Sequence, residues 1–184
     1  YRKLTGYHGY WPVDMRNTEP RWGTMDEFKG MVAEAHQHHM AVIIDFVSNH
    51  FHQSNPLVAQ HPDWFSRLEL ADGSPNIRLY DLHPFDTWFD AFLPDIAYDR
   101  SSEATDYMTD TAVWWIHQTH ADGFRHDAVK HVPLVFWESC TRKLNEQITN
   151  LGQEFTSNIA SSTGSITVTK DQLEGLPPEY VASH

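Results

Sequence analysis

Cysteine is nearly absent from this sequence. Cys140 stands alone among 184 residues, which excludes an internal disulfide framework and leaves it to serve as a small buried side chain. Positive charge is scarce too. The chain has 13 Lys and Arg against 25 Asp and Glu, and a formal charge of −12 argues against a nucleic-acid partner, whose phosphates attract basic patches. No run approaches the roughly 18 apolar residues needed to span a bilayer, so a soluble protein without a membrane partner is expected. The glycine patterns of dinucleotide sites and P-loops are missing, and so is H-E-x-x-H. Tyr1 stands where Met would open a gene product, and no signal peptide precedes it; this reads as a cut or processed N-terminus, with the compartment unknown.

Aromatic residues, by contrast, are plentiful: 10 Phe, 7 Trp and 7 Tyr, many beside polar residues. That suits a sugar cleft, where flat rings stack on pyranose faces, as well as a Trp-rich core. Residues 1–23 read as loop, punctuated by Gly6, Gly9, Pro12, Pro20 and Gly23. Thr24 with Glu27 forms a capping box ahead of a helix carrying Phe28, Met31, Val32 and Ala35 at helical spacing. Residues 41–47 are a short β-branched run that reads as a strand buried on both faces, as in a parallel sheet. Residues 51–100 show no sustained period and carry Pro56, Pro62, Pro75, Pro84 and Pro94, which suggests an inserted subdomain or functional loop.

A second helix is expected over about 102–119, with Ala104, Tyr107, Met108, Thr111, Ala112 and Trp115 facing inward. A strand follows over 123–129. Pro133 then opens a third helix whose stripe is Phe136, Trp137, Cys140, Leu144 and Ile148. Helices alternating with strands imply an α/β fold with a parallel sheet. Both strands end in Asp and His, the end at which a (β/α)8 barrel holds its chemistry. Such a barrel needs about 250 residues, and this chain reads as about three of its βα units. Charged residues seldom bury unpaired, so Asp45 and His50 at one strand end, and Arg125, Asp127, Lys130 and His131 at the other, are candidate site residues.

Several segments resemble the α-amylase superfamily, glycoside hydrolase family 13. Gly6-Tyr7-His8-Gly9-Tyr10-Trp11-Pro12-Val13-Asp14 looks like its approach segment, and Asp45 to His50 matches its D-x-x-x-N-H signature. Leu93-Pro94-Asp95 resembles the short motif after its inserted domain, and Gly123 to His131 matches G-x-R-x-D-x-x-K-H. The motifs stand in the family's order and cover residues 1 to about 147. The resemblance implies a partial (β/α)8 (TIM) barrel, with 51–100 as the subdomain inserted after the third barrel strand. It implies a retaining hydrolase or transglycosylase acting on α-glucosidic bonds, with an oligosaccharide or α-glucan as substrate.

Asp127 would be the nucleophile that forms a covalent glycosyl intermediate. Arg125, two residues away on the same strand face, would hold that carboxylate ionised and oriented. Tyr10 and His50 would line the subsite of the cleaved sugar, one by stacking and the other by hydrogen bonding. Asp45 would belong to the same substrate-binding group, and Lys130 and His131 would reach toward the leaving group. No cofactor is required by this chemistry. Asn49 and Asp95 match positions that bind a structural Ca²⁺ in many members, and their oxygen atoms suit that ion.

A retaining mechanism also needs a second carboxyl as general acid, about 5 Å from the nucleophile. Aligned by Gly152, that position falls on Gln153, an amide that delivers no proton; Glu154 is one residue off and would point to the opposite strand face. The family's third carboxylate has no counterpart before His184. Residues 148–184 do not resemble the α-amylase continuation, and 169–177 weakly resemble a helical segment of thimet-type oligopeptidases. These features suggest a truncation, fusion or rearrangement near 145–152. One alternative is an inactive fragment that keeps part of a sugar site and self-associates through exposed barrel edges. Another takes His36, His38, His39, His50, His52 and His61 as marks of a metal-dependent hydrolase, although no pair has zinc-site spacing.

Overall fold

A computed structural model describes residues 6–147. The chain divides into two compact units, Tyr1–Leu144 and Asn145–His184, and the architecture below is that of the first. Expectations placed on Ile148 and on 148–184 lie outside the described residues.

Helix α1 spans Met25–Gln37. Its start is fixed by the capping box: Thr24 Oγ1 accepts from the Glu27 N–H at 3.2 Å, and Glu27 accepts from the Thr24 N–H at 2.7 Å. That backbone hydrogen bond lowers the Glu27 carboxyl below its usual range. Strand β1 (Ile43–Val47) follows, then the insertion with a short helix α2 (Pro56–Gln60) and a 3₁₀ turn at Pro62–Trp64. Helix α3 runs over Ser102–Thr119, capped by the Ser101 hydroxyl and ended by His120 in the left-handed region. Strand β2 (Gly123–Asp127) leads through a 3₁₀ turn, Val129–His131, into α4 at 134–147. Pro133 stands just before the first helical residue rather than within the helix. Its carbonyl accepts from the Phe136 N–H and opens the first turn.

The two strands pair in parallel with Asp45 opposite Arg125 and Val47 opposite Asp127. Asp122 locks this register from outside the strands. Its Oδ2 accepts from the Val42 N–H at 2.6 Å and faces His36 Nε2 at 3.0 Å, tying the end of α1 to the starts of both strands. On one sheet face Phe46 packs against Phe124 and His126, and below them lie Phe136, Met108, Trp115 and Cys140. Fully burying a side chain such as Phe136 or Met108 is worth about 1.5–3 kcal/mol. Burial also raises the Cys140 thiol to about 11, as expected of an inert structural cysteine. The buried threonines of α3 satisfy themselves, with Thr105, Thr109, Thr111 and Thr119 donating to carbonyls one turn back.

The opposite sheet face corrects the expectation of a strand buried on both sides. Ile43 is 61% exposed, and Asp45 and Arg125 are exposed as well. The physical reason is that two strands cannot close on themselves: the face that turns inward in a barrel is covered only by further strands. A groove of about 930 Å³ runs along the other edge of β1, lined by Trp11, Met15, Trp22, Phe28, Ile43 and Ile44 among others.

His126 carries a stability cost. Its Nδ1 is buried without a hydrogen-bond partner, among Phe46, Phe124, Phe136 and Trp137. Burial lowers its pKa, as it does for His50. Both rings are therefore neutral when folded and take a proton when unfolded below about pH 6.5, so stability falls as pH drops through 6.5 toward the folded values. His126→Leu removes one of these terms and the orphaned nitrogen. It is expected to stabilise the fold by about 1–2 kcal/mol at pH 7 and by more at pH 5.5, read as urea midpoints at both pH values. A destabilised variant at pH 5.5 would count against this account.

Candidate active site

The site gathers where both strands end. Residues 45, 125 and 127 share one face by strand alternation, and the parallel register sets Arg125 directly opposite Asp45. Arg125 Nη1 donates to Asp45 Oδ1 at 2.9 Å and to Asp127 Oδ1 at 2.8 Å, so one guanidinium bridges two carboxylates. The pairs raise the guanidinium pKa further above its usual value, Asp45 contributing most. Asp45 Oδ2 accepts from the Tyr10 hydroxyl at 2.9 Å. That carboxylate in turn raises the Tyr10 phenol, which keeps it a proton donor. Both Asp45 oxygens are thus committed as acceptors, one from Arg125 and one from Tyr10.

Asp127 is the last residue of β2, and Ala128 follows in the left-handed region at φ 53°, a conformation costing alanine about 1 kcal/mol. The reversal drives the chain into the Val129–His131 turn and leaves Asp127 at the open strand end. Its side chain is 23% exposed, against 44% for Asp45 and 50% for Arg125. At that exposure the ion pairs add little stability, so their geometry bears on chemistry more than on folding.

His50 is 2% exposed, and both its ring nitrogens are engaged, Nε2 with the Tyr10 carbonyl at 3.0 Å and Nδ1 near Asn49 Nδ2 at 3.4 Å. In this arrangement it fixes Tyr10. The Tyr10 ring has His8 stacked beside it at 5.6 Å with a 20° interplanar angle. His131 is buried with Nδ1 held by the Pro84 carbonyl at 3.1 Å, and Lys130 points to solvent. The structure thus brings Tyr10, Asp45, Arg125 and Asp127 into direct contact. His50 joins through Tyr10, while Lys130 stands apart. Gln153 and Glu154 lie outside the described residues.

Sequence reasoning missed two rings. Phe89 lies 5.1 Å from His50 and 5.2 Å from His131, and Tyr80 lies 4.8 Å from His131. Both come from the insertion, where no periodicity or motif marked them. Ser66 was missed as well: its hydroxyl donates to Asp95 Oδ2 at 2.6 Å.

Asn49 and Asp95 do meet, Asn49 Nδ2 donating to Asp95 Oδ1 at 3.2 Å. Asp95 is 1% exposed, and burial pushes its pKa well above the usual value. Asn49 Oδ1 is buried without a partner. A desolvated carboxylate beside an orphaned amide oxygen is a donor set that fits a hard cation. Among the described residues no group of three or more His, Cys, Asp or Glu is placed to hold a metal. The histidines weighed for a metal hydrolase are dispersed: His38 contacts Glu34, His52 lies near Phe92 and His61 stacks on Trp64.

The family profile "Alpha amylase, catalytic domain" matches residues 1–174. This chain belongs to the α-amylase family. It is 32% identical over 167 residues to a cyclomaltodextrin glucanotransferase of Bacillus sp. (strain 38-2), covering 82% of this chain and 23% of that protein. It is 31% identical over 139 residues to Alpha-amylase 2 of Dictyoglomus thermophilum, covering 73% of this chain and 23% of that one. The crystal structure of the Geobacillus thermoleovorans α-amylase complexed with acarbose aligns with a TM-score of 0.66 at 34% identity, over 79% of this chain and 32% of that chain. The chain therefore spans about a quarter of the curated relatives' length. α-Amylase family membership carries the (β/α)8 barrel fold, of which the described residues form a part. No helix among them is long and apolar enough to cross a membrane.

Proposed function

We propose that this α-amylase family chain carries the nucleophile side of a retaining site for α-glucosidic bonds, used in hydrolysis or in transfer to another sugar. The observation that carries the reading is the single guanidinium bridging Asp45 and Asp127 at the ends of two parallel strands. Arg125 orients Asp127, and Asp45 with Tyr10 fixes Arg125. Asp127 then attacks the anomeric carbon, the bond to the leaving sugar breaks, and water or a sugar hydroxyl later cleaves the glycosyl ester. Tyr10 offers its ring face to the cleaved sugar, and His131 and Lys130 stand on the leaving-group side. The proton for the leaving oxygen comes from a carboxyl outside the described residues, with Glu154 the candidate in this chain. Incubation with maltoheptaose and chromatography of the products tests the reading, shorter or longer α-glucans being expected. No change in the sugar, with a folded protein, counts against it.

Support for a structural Ca²⁺ held by Asn49 and Asp95 lies in the orphaned amide oxygen and the buried carboxylate. It would brace the join between β1 and the insertion and takes no part in the bond changes. Self-association is the further reading that the exposed edge of β1 supports. Ile43→Lys is expected to shift sedimenting species of the chain toward monomer, and a wild type monomeric at all concentrations would rule it out.

A further inference from the structure

Residues 48–122 join β1 to β2, and a crossover of that length does not fix strand register as a tight hairpin turn does. The ladder itself is only five residues long, and its side chains alternate in a way that a slip of two preserves. Such a slip would set Asp45 opposite Gly123 or Asp127 in place of Arg125. A slip of one would turn Asp45 to the apolar face. The guanidinium bridge at the strand ends thus needs a register fixed from elsewhere.

The contacts that fix it lie at the far end of the ladder, on Val42. Its N–H donates to Asp122 Oδ2 at 2.6 Å, and its carbonyl accepts from the Asp122 N–H at 2.8 Å. One residue thereby holds both polar groups of another, a pairing that closes in a single register. His36 Nε2 reaches the same Asp122 oxygen at 3.0 Å. An ionised carboxylate only accepts, so the His36 ring carries a proton on Nε2 there. The end of α1 is shaped for this contact. The His39 N–H returns to the His36 carbonyl and the Met40 N–H to the Ala35 carbonyl, both at 2.9 Å, while His39 takes φ 56°. The Asp122 side chain is 22% exposed, which shelters its short charge-assisted bonds from water.

We infer that Asp122, with His36 behind it, is a positioning residue for the proposed glycosyl transfer. It sets the register that places Arg125 between Asp45 and Asp127, and it touches no substrate. Its kinetic consequence rests on the nucleophile-site reading above, whereas its effect on Arg125 does not depend on turnover. A contact that served stability alone would leave both Arg125 and kcat untouched in a folded variant.

The test follows the Arg125 side chain first, in the full 184-residue chain. Nitrogen–proton NMR of the guanidinium groups should show slowly rotating Arg125 Nη protons, assigned by their loss in Arg125→Lys. Asp122→Ala removes the acceptor for Val42 and His36, and the Arg125 signal should collapse to a rotationally averaged position. Asp122→Asn keeps an acceptor for the Val42 N–H and should restore the slow signal. With α-glucosyl fluoride, Asp122→Ala should lower kcat about tenfold and leave KM within about twofold, because the reacting groups shift while the sugar contacts remain. His36→Ala spares the Val42 bonds and serves if Asp122→Ala does not fold; it should broaden the same signal and lower kcat about threefold. Circular dichroism and melting establish folding. A slow Arg125 signal unchanged in the folded variant overturns the inference whatever the activity, and so does an unchanged kcat beside a lost signal. A wild type that does not turn over the fluoride, with the signal still lost in Asp122→Ala, overturns the glycosidase reading and leaves the positioning of Arg125 standing.

Discussion

Asp127→Asn is expected to lower the turnover of α-glucosyl fluoride by at least about 10³-fold while leaving the fold unchanged. Fluoride departs without needing a proton, so this substrate tests the nucleophile independently of any general acid. On the proposed mechanism, an Asp127 oxygen would bond to the anomeric carbon as the carbon–fluorine bond breaks, and water would then attack that carbon to release the sugar. An amide at the same place keeps the shape but lacks the charge for the first step. The variant also exchanges the 2.8 Å ion pair with Arg125 for a neutral hydrogen bond. Because Asp127 and its partners are partly exposed, the stability change should stay within about 1 kcal/mol, so lost activity will not report lost folding.

The same chemistry has a covalent readout. Treating the wild type with 5-fluoro-α-glucosyl fluoride should add one sugar to the peptide containing Asp127, and mass spectrometry should find no such adduct in Asp127→Asn. An adduct on another carboxylate would move the nucleophile elsewhere. Asp45 is the obvious competitor, but its oxygens already accept from Arg125 and Tyr10. Arg125→Lys supplies a related outcome. A lysine keeps the charge but not the fork that bridges both carboxylates, and turnover should fall about 10²-fold.

Much of this arrangement was legible in residue order alone. Thr24 and Glu27 announced the start of α1, and the inward stripe from Ala104 to Trp115 marked α3, because caps and helical periods are local properties. The Arg125–Asp127 pair was legible for a similar reason: alternate residues of a strand share a face. The bridge to Asp45 was not, since it depends on register across 80 residues, and that register is held by Asp122, whose contacts no spacing rule reveals. Phe89 and Tyr80 were invisible because the insertion has no period to read. The exposure of Ile43 misled the burial expectation for β1, since an apolar strand residue does not say whether its covering strands are at hand. Whether the expected acid position falls on Gln153, an amide, or on Glu154 turns on a one-residue offset, which on an expected strand would decide between facing the site and facing away.

Calcium should raise the melting temperature of this chain, and Asp95 should be the reason. Without a cation, Asp95 is a buried carboxylate whose nearest partners, Ser66 and Asn49, are neutral. Its pKa is raised in the fold, so its contribution to stability is fully present below the unfolded value near 4 and is lost as pH rises through the folded value. A bound Ca²⁺ would remove that loss by pairing the ionised form and satisfying Asn49 Oδ1. At free Ca²⁺ 100-fold above its dissociation constant the gain is about 2.7 kcal/mol, or roughly 5–10 °C for a chain of this size. Asp95→Asn separates the causes. In EDTA at pH 7 the variant should melt above the wild type, because an amide buries at lower cost than a charge. In millimolar Ca²⁺ the order should reverse, because the ion gains nothing from the variant. If wild type melts at the same temperature in EDTA and in Ca²⁺, the pocket around Asp95 holds a proton in place of a metal, and stability should then rise as pH falls from the folded pKa of Asp95 toward the unfolded value near 4, once the opposing terms of His50 and His126 are removed by substitution.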